Sequence, residues 1–194
     1  MPGRGFDPCP ATARPATARP AEFSPLFGLP RGRIDGAGQL IVEVVGTVLK
    51  EVEDSLGLLR AIHRTIDAMV ADMADEEWLQ KPAPNMNNIA SIMEHIILVE
   101  RRLLSVLAGD PQTIDTQAPF HADHWDVPAI RRQWGESLTF AEAAVTSLTV
   151  TDLDAPGLKL GVGELDKRQL FAYVSSHTAH HRGQIPIVKK MLAG

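Results

Sequence analysis

The chain has 194 residues, with 19 Lys and Arg against 24 Asp and Glu, a net charge of −5, and 44% hydrophobic residues. That balance fits one soluble globular domain plus an extension, and the acidic excess argues against nucleic acid or an anionic membrane as partner. The single cysteine, Cys9, excludes an internal disulfide and suits a reducing cytoplasm; the most apolar run, Leu40 to Leu49, carries Glu43 and falls short of the roughly 20 residues a spanning helix needs.

Residues 1–38 are rich in Pro, Gly, Ala and Arg and repeat Ala11-Thr-Ala-Arg-Pro15 directly as Ala16-Thr-Ala-Arg-Pro20. Prolines at that density remove backbone donors and block helix, which predicts a disordered leader over 1–38 and a folded domain over 39–194. From Gln39 to Met73 the pattern turns helical: Val52, Leu56, Leu59, His63, Ile66, Val70 and Met73 follow in steps of four and three. Gly46 and Gly57 each weaken that run by roughly 1 kcal/mol relative to Ala, leaving room for a break or a late start.

Asn87 or Asn88 then caps a second helix that ends at Gly109-Asp110-Pro111. Its inward stripe holds Asn88, Ile92, His95, Val99 and Leu103, and its solvent side Glu94, Glu100, Arg101 and Arg102. Residues 110–125 form a long connection containing His121 and His124. Asp126 caps a third helix with Pro128 in its first turn and a stripe of Trp134, Leu138, Ala141, Val145 and Leu148. A Gly-rich link, Gly157 to Gly163, leads to a fourth helix capped by Asp166. No segment alternates with period two for long enough to predict a strand. The expected class is therefore all-α, a four-helix bundle behind a disordered N-terminal leader.

The fourth helix carries the chemistry. Leu170, Val174, His177, His181, Gln184, Val188 and Met191 form its stripe, so two imidazoles sit one turn apart in an otherwise apolar row. Buried histidines need partners, and a pair at i and i+4 can converge on one divalent ion. With His95 from the second helix they make three neutral ligands, which leave a metal its full charge and an open coordination position. Zn, Ni, Cu and Fe all suit such nitrogen ligands. The plainer reading, of satisfied core histidines, stays open on these residues alone. His63 reads as a core histidine, His180 as lying at the edge of the stripe, and His121 and His124 as solvated. Gln184 reads as structural and Arg182 as a salt-bridging residue. No acidic residue is evident on an inward stripe, so neither a general base nor a carboxylate orienting a histidine is assigned, and the catalytic residues are unknown.

The string His177-Thr-Ala-His-His181-Arg-Gly-Gln184-Ile, with Ser91-Ile-Met-Glu-His95 upstream and a Trp78 and Pro82 link before an Asn-rich helix start, resembles the DinB-like family of metalloenzyme candidates. The resemblance spans about residues 50–192. It implies a four-helix bundle of up-down-down-up order, often a homodimer, with a divalent transition metal, Zn or Ni foremost, held by His95, His177 and His181. It also implies a small-molecule substrate and a low-molecular-weight thiol such as mycothiol or bacillithiol, since relatives include thiol-dependent S-transferases and a maleylpyruvate isomerase. One departure is Pro186, inside the fourth helix, which is expected to kink it near His181. Three functions compete: a metal-dependent thiol transferase or isomerase, a non-catalytic metal-binding stress protein, and a helical dimerisation module. No nucleophile elbow, phosphate loop or dinucleotide fingerprint supports a hydrolase or kinase.

Overall fold

The computed structural model describes residues 48–194 and, from the chain before them, the backbone of two short strands. Contacts divide the chain into a unit ending at Val45 and a unit from Gly46 to Gly194. In the first, β1 (Arg33–Ile34) pairs antiparallel with β2 (Leu40–Ile41). The leader expected over 1–38, and Cys9 with it, otherwise lies outside the described residues. The helix expected from Gln39 is corrected: Leu40–Ile41 is extended, and the first helix begins at Lys50.

The second unit is mostly helical. Its elements are α1 (Lys50–Val70), α2 (Asp75–Leu79), α3 (Ile89–Leu107), α4 (Ala118–His121), α5 (Val127–Val145), α6 (Val150–Leu153), β3 (Pro156–Leu160), β4 (Gly163–Asp166) and α7 (Lys167–Leu192). The four long helices are α1, α3, α5 and α7; α3 packs on α5 and α7, and α1 packs on α7 and α5. The expected caps hold: Asn88 accepts from the Ser91 amide, Asp126 from Ala129 and Asp166 from Gln169. Each satisfies an amide that the first helical turn leaves without a partner, worth about 1 kcal/mol. Gly57 does not break α1, because burial of Val52, Leu56, Leu59 and Ile66 on the inner face outweighs its propensity cost of about 1 kcal/mol.

Helix α3 is the centre of the unit. Fourteen of its 19 residues are buried, so it is apolar around most of its circumference rather than along one stripe. Ile89, Ile92, Ile96 and Ile97 are at most 1% exposed, each stabilising the fold by about 1.5–3 kcal/mol through burial. One core cluster joins them to Trp78, Trp125, Trp134 and Ile185, and a second joins Leu103 and Leu104 to Leu56, Leu59, Leu170 and Val174. Trp78 is anchored from outside by Arg131, whose guanidinium lies 4.2 Å from the ring centroid while Nε donates to Asp75 Oδ1 at 2.9 Å.

Two expectations about the stripes are corrected. Glu100, assigned to the solvent side, is 2% exposed, because α3 is enclosed on that side as well. Met191, assigned to the stripe of the fourth helix, is 46% exposed, since the core-facing side of α7 there runs through Ile185, Val188 and Leu192. The buried face of α7 instead runs through Thr178 and Ile185. Pro186 is exposed and α7 continues through it to Leu192, so the missing amide bond does not end the helix.

The expectation of no strand is also corrected. The Gly-rich link is a hairpin, β3 pairing antiparallel with β4 around Gly161 and Val162. Its strands are too short to show period two, but the glycines explain it. Gly163 has φ of 124°, a conformation side chains resist, and a Cβ on Gly157 would stand 2.8 Å from the Leu165 carbonyl oxygen.

Candidate metal centre

Helices α3 and α7 bring His95, His177 and His181 together, with one potential ligand atom from each lying within 4.8 Å of the others. The reason is local. His95 sits on the α3 face that meets α7, and the four-residue spacing of His177 and His181 brings their ring centroids to 4.6 Å on α7, the rings tilted at 58°. His95 is 4% and His181 8% exposed, and His177 is half-buried.

Hydrogen bonds orient two of the three rings. His95 Nδ1 donates to the Thr116 carbonyl oxygen at 2.5 Å, and His181 Nδ1 donates to Gln184 Oε1 at 2.9 Å. Each bond places the ring proton on Nδ1 and leaves the Nε2 lone pair for a ligand. Gln184 is in turn placed by its Nε2, which donates to His180 Nε2 at 3.3 Å. His177 Nε2 approaches His95 Nε2 to 3.2 Å, while His177 Nδ1 is buried without a hydrogen-bond partner. Phe120, from α4, covers His95 with ring centroids 4.5 Å apart.

The electrostatics favour neutral rings. Burial pushes the His177 pKa down to about 3, helped by the neighbouring charges of His181, His95 and His180. Burial likewise takes His181 to about 4 against the opposing bond to Gln184, and lowers His95 against the bond to Thr116. No bond fixes the His177 tautomer, so at 3.2 Å its Nε2 can donate to His95 Nε2 or, with the proton on Nδ1, join it in binding an ion. Two nitrogens bound to one tetrahedral ion stand about 3.4 Å apart, which the 3.2 Å separation of His95 and His177 matches closely. The donor set thus fits a divalent transition metal.

The other histidines fall elsewhere. His63 is a core residue, as its stripe position suggests: its ring stacks on Trp134 at 3.8 Å and 9°, and Nε2 donates to Glu100 Oε1 at 2.9 Å. Thr178 Oγ1 donates to the same oxygen at 2.7 Å, whereas Glu100 Oε2 is buried without a partner. The expectation that no acid lies inward is overturned by this residue, hidden in the sequence by the flanking Arg101 and Arg102. His121 and His124 are exposed. Arg182, read as salt-bridging, makes no ion pair among the described residues. The carbonyl of Thr116 and the ring of Phe120 were not recognisable as site components, because a backbone oxygen and an apolar side chain in a long connection carry no motif.

A cavity of about 170 Å³ opens onto His95 and His177 between Val99, Leu103 and Tyr173, with Arg102 in its wall. A larger recess of about 330 Å³ lies on the other side of Gln184, beside Asn85, Met86 and Ile187, but contains no titratable side chain. Of the two, the smaller is the one lined by His95 and His177.

Fold and site together define a mostly helical protein with three converging histidines from two helices in its core. The chain belongs to the DinB superfamily, whose sequence pattern matches residues 58–185 and so takes in all three. Among solved structures, it is similar to a conserved protein from Enterococcus faecalis, at 15% identity and a TM-score of 0.63, covering 75% of this chain and 99% of that one. It is also similar to a candidate member of the DinB family from Exiguobacterium sibiricum 255-15, at 14% identity and a TM-score of 0.56, covering 75% of this chain and 94% of that one. At such identities the likeness concerns the fold alone. No curated protein matches the chain.

Proposed function

We propose that the protein binds one divalent transition metal, Zn or Ni, through His95, His177 and His181, in a four-helix bundle of the up-down-down-up order implied by its family. The observation that carries this reading is the pair of Nδ1 bonds, to Thr116 and Gln184, which present Nε2 of His95 and His181 to His177. A divalent ion held by three neutral ligands supplies a Lewis acid with an open position, able to lower the pKa of a bound water or thiol. The chain's own residues do the rest. Burial keeps the imidazoles neutral at pH 7, Phe120 shields His95, and the cavity beside Tyr173 admits a small molecule.

A metal-dependent S-transferase or isomerase using a low-molecular-weight thiol, such as mycothiol or bacillithiol, is the activity that fits this arrangement. The cavity is small and reaches the histidines directly, which suits a compact electrophile. Exposed Ile187 and Met191 on α7 offer an apolar face for a homodimer. The test is metal content of the purified protein by mass spectrometry, beside a His177→Ala and His181→Ala double variant. About one metal per chain, absent from the variant, is expected; a wild type that takes up neither Zn nor Ni overturns the reading. Thiol consumption with an electrophile then separates an enzyme from a non-catalytic metal-binding protein.

A further inference from the structure

We infer that Arg102 binds the carboxylate of a small anionic ligand whose other end lies against His95 and His177. The second half of this statement rests on the histidine cluster being the functional centre; the anion-binding role of Arg102 does not.

Arg102 follows His95 by seven residues, so it lies on the same side of α3 about 10 Å further along the axis. Tyr173 precedes His177 by one turn of α7, so α3 and α7 both line the cavity of about 170 Å³. Apolar Val99, Leu103 and Leu160 line it together with His95, His177 and Arg102. Arg102 also stands in the wall of a second recess, of about 260 Å³, beside Val106 and Gln112. No Asp or Glu lines either space.

Arg102 is half-buried, and its side chain makes no hydrogen bond or ion pair among the described residues. Arg60, Arg101, Arg131 and Arg168 each face a carboxylate, and of the arginines that do not, Arg102 is the one that lines the cavity with His95 and His177. A partly desolvated cation against apolar walls, with no internal counter-charge, is a site for an anion from solution. The class of anion follows from the geometry. One planar fork pairs with a carboxylate through two parallel bonds, whereas a phosphate dianion is ordinarily held by several donors. The cavity volume of about 170 Å³ is below the roughly 300–1,000 Å³ of drug-sized pockets, and the side chains of Val99, Leu103 and Leu160 suit a short hydrocarbon body.

The test is an NMR titration of the full chain, metal-stripped and zinc-loaded, with butyrate, uncharged butyramide and inorganic phosphate as probes. Metal-stripped protein is included because a carboxylate could otherwise bind zinc directly. Butyrate is expected to bind both forms. Its affinity should fall at least about tenfold in Arg102→Gln, only partly in Arg102→Lys, which keeps the charge but not the fork, and not at all in Arg101→Gln. Zinc content should be equal in all four proteins. Equal butyrate affinity in wild type and Arg102→Gln overturns the assignment, as does butyramide binding as tightly as butyrate. Phosphate binding through Arg102 as tightly as butyrate overturns the choice of carboxylate. Butyrate binding by a protein that takes up no zinc upholds Arg102 and defeats only the metal reading; zinc uptake without butyrate binding does the reverse.

Discussion

The buried contact between His63 and Glu100 is open to a double-mutant cycle. Both residues are 2% exposed, and the contact joins α1 to α3, while Thr178 ties the same carboxylate to the stretch of α7 that lies between His177 and His181. In Glu100→Leu, Thr178 is not stranded, because its hydroxyl already lies 3.0 Å from the Val174 carbonyl oxygen. His63 Nε2 loses its acceptor outright, so the expected cost is about 1–3 kcal/mol. In His63→Phe the ring stack on Trp134 survives, but Glu100 keeps only the Thr178 bond, and one of its oxygens already has no partner. A buried acid stripped of its main partner costs more, about 3–5 kcal/mol. The double variant His63→Phe with Glu100→Leu removes both polar groups, and should fall short of the sum of the singles by at least about 1 kcal/mol. Urea unfolding of metal-stripped protein, followed by circular dichroism and tryptophan fluorescence, measures all four states. Additivity within about 0.5 kcal/mol would refute the claim that these side chains are energetically paired.

Further predictions concern the histidine cluster. Gln184→Leu removes the acceptor that orients His181 but none of the proposed ligands, and should weaken zinc binding about 10- to 100-fold, read by competition with a chelator. Unchanged affinity would show that His181 needs no such support. In metal-stripped protein, His177 and His181 titrate near pH 3 and pH 4 when folded but near about 6.5 when unfolded. Below that pH the unfolded chain binds more protons, so stability should fall from about pH 6.5 toward pH 4 and level off once the folded rings protonate too. Urea midpoints across this range should slope less steeply in the His177→Ala and His181→Ala double variant; equal slopes would mean that these two rings are not held neutral by the fold.

Much of this protein is legible along the chain, because helix signals are local. Apolar residues at steps of three and four, and a capping Asn88, Asp126 or Asp166, depend on neighbours within one or two turns, and the structure places those three caps where the pattern puts them. The convergence of His177 and His181 is of the same kind, since one helical turn sets their spacing. What went unread is what depends on contacts across the fold. The burial of Glu100 follows from how completely other elements enclose α3, and a charged residue between Val99 and Arg101 gives no sign of it. The hairpin at Pro156–Asp166 is held by pairing between strands too short to leave a period. Thr116 orients His95 with a backbone oxygen, which every residue possesses, so only the path of the connection selects it. Local periodicity therefore located the four long helices, apart from the start of the first, and showed which histidines share a face. The enclosure of α3, the partners that aim the imidazoles and the cavity that reaches them arise from segments distant in sequence, and only their packing in three dimensions decides them.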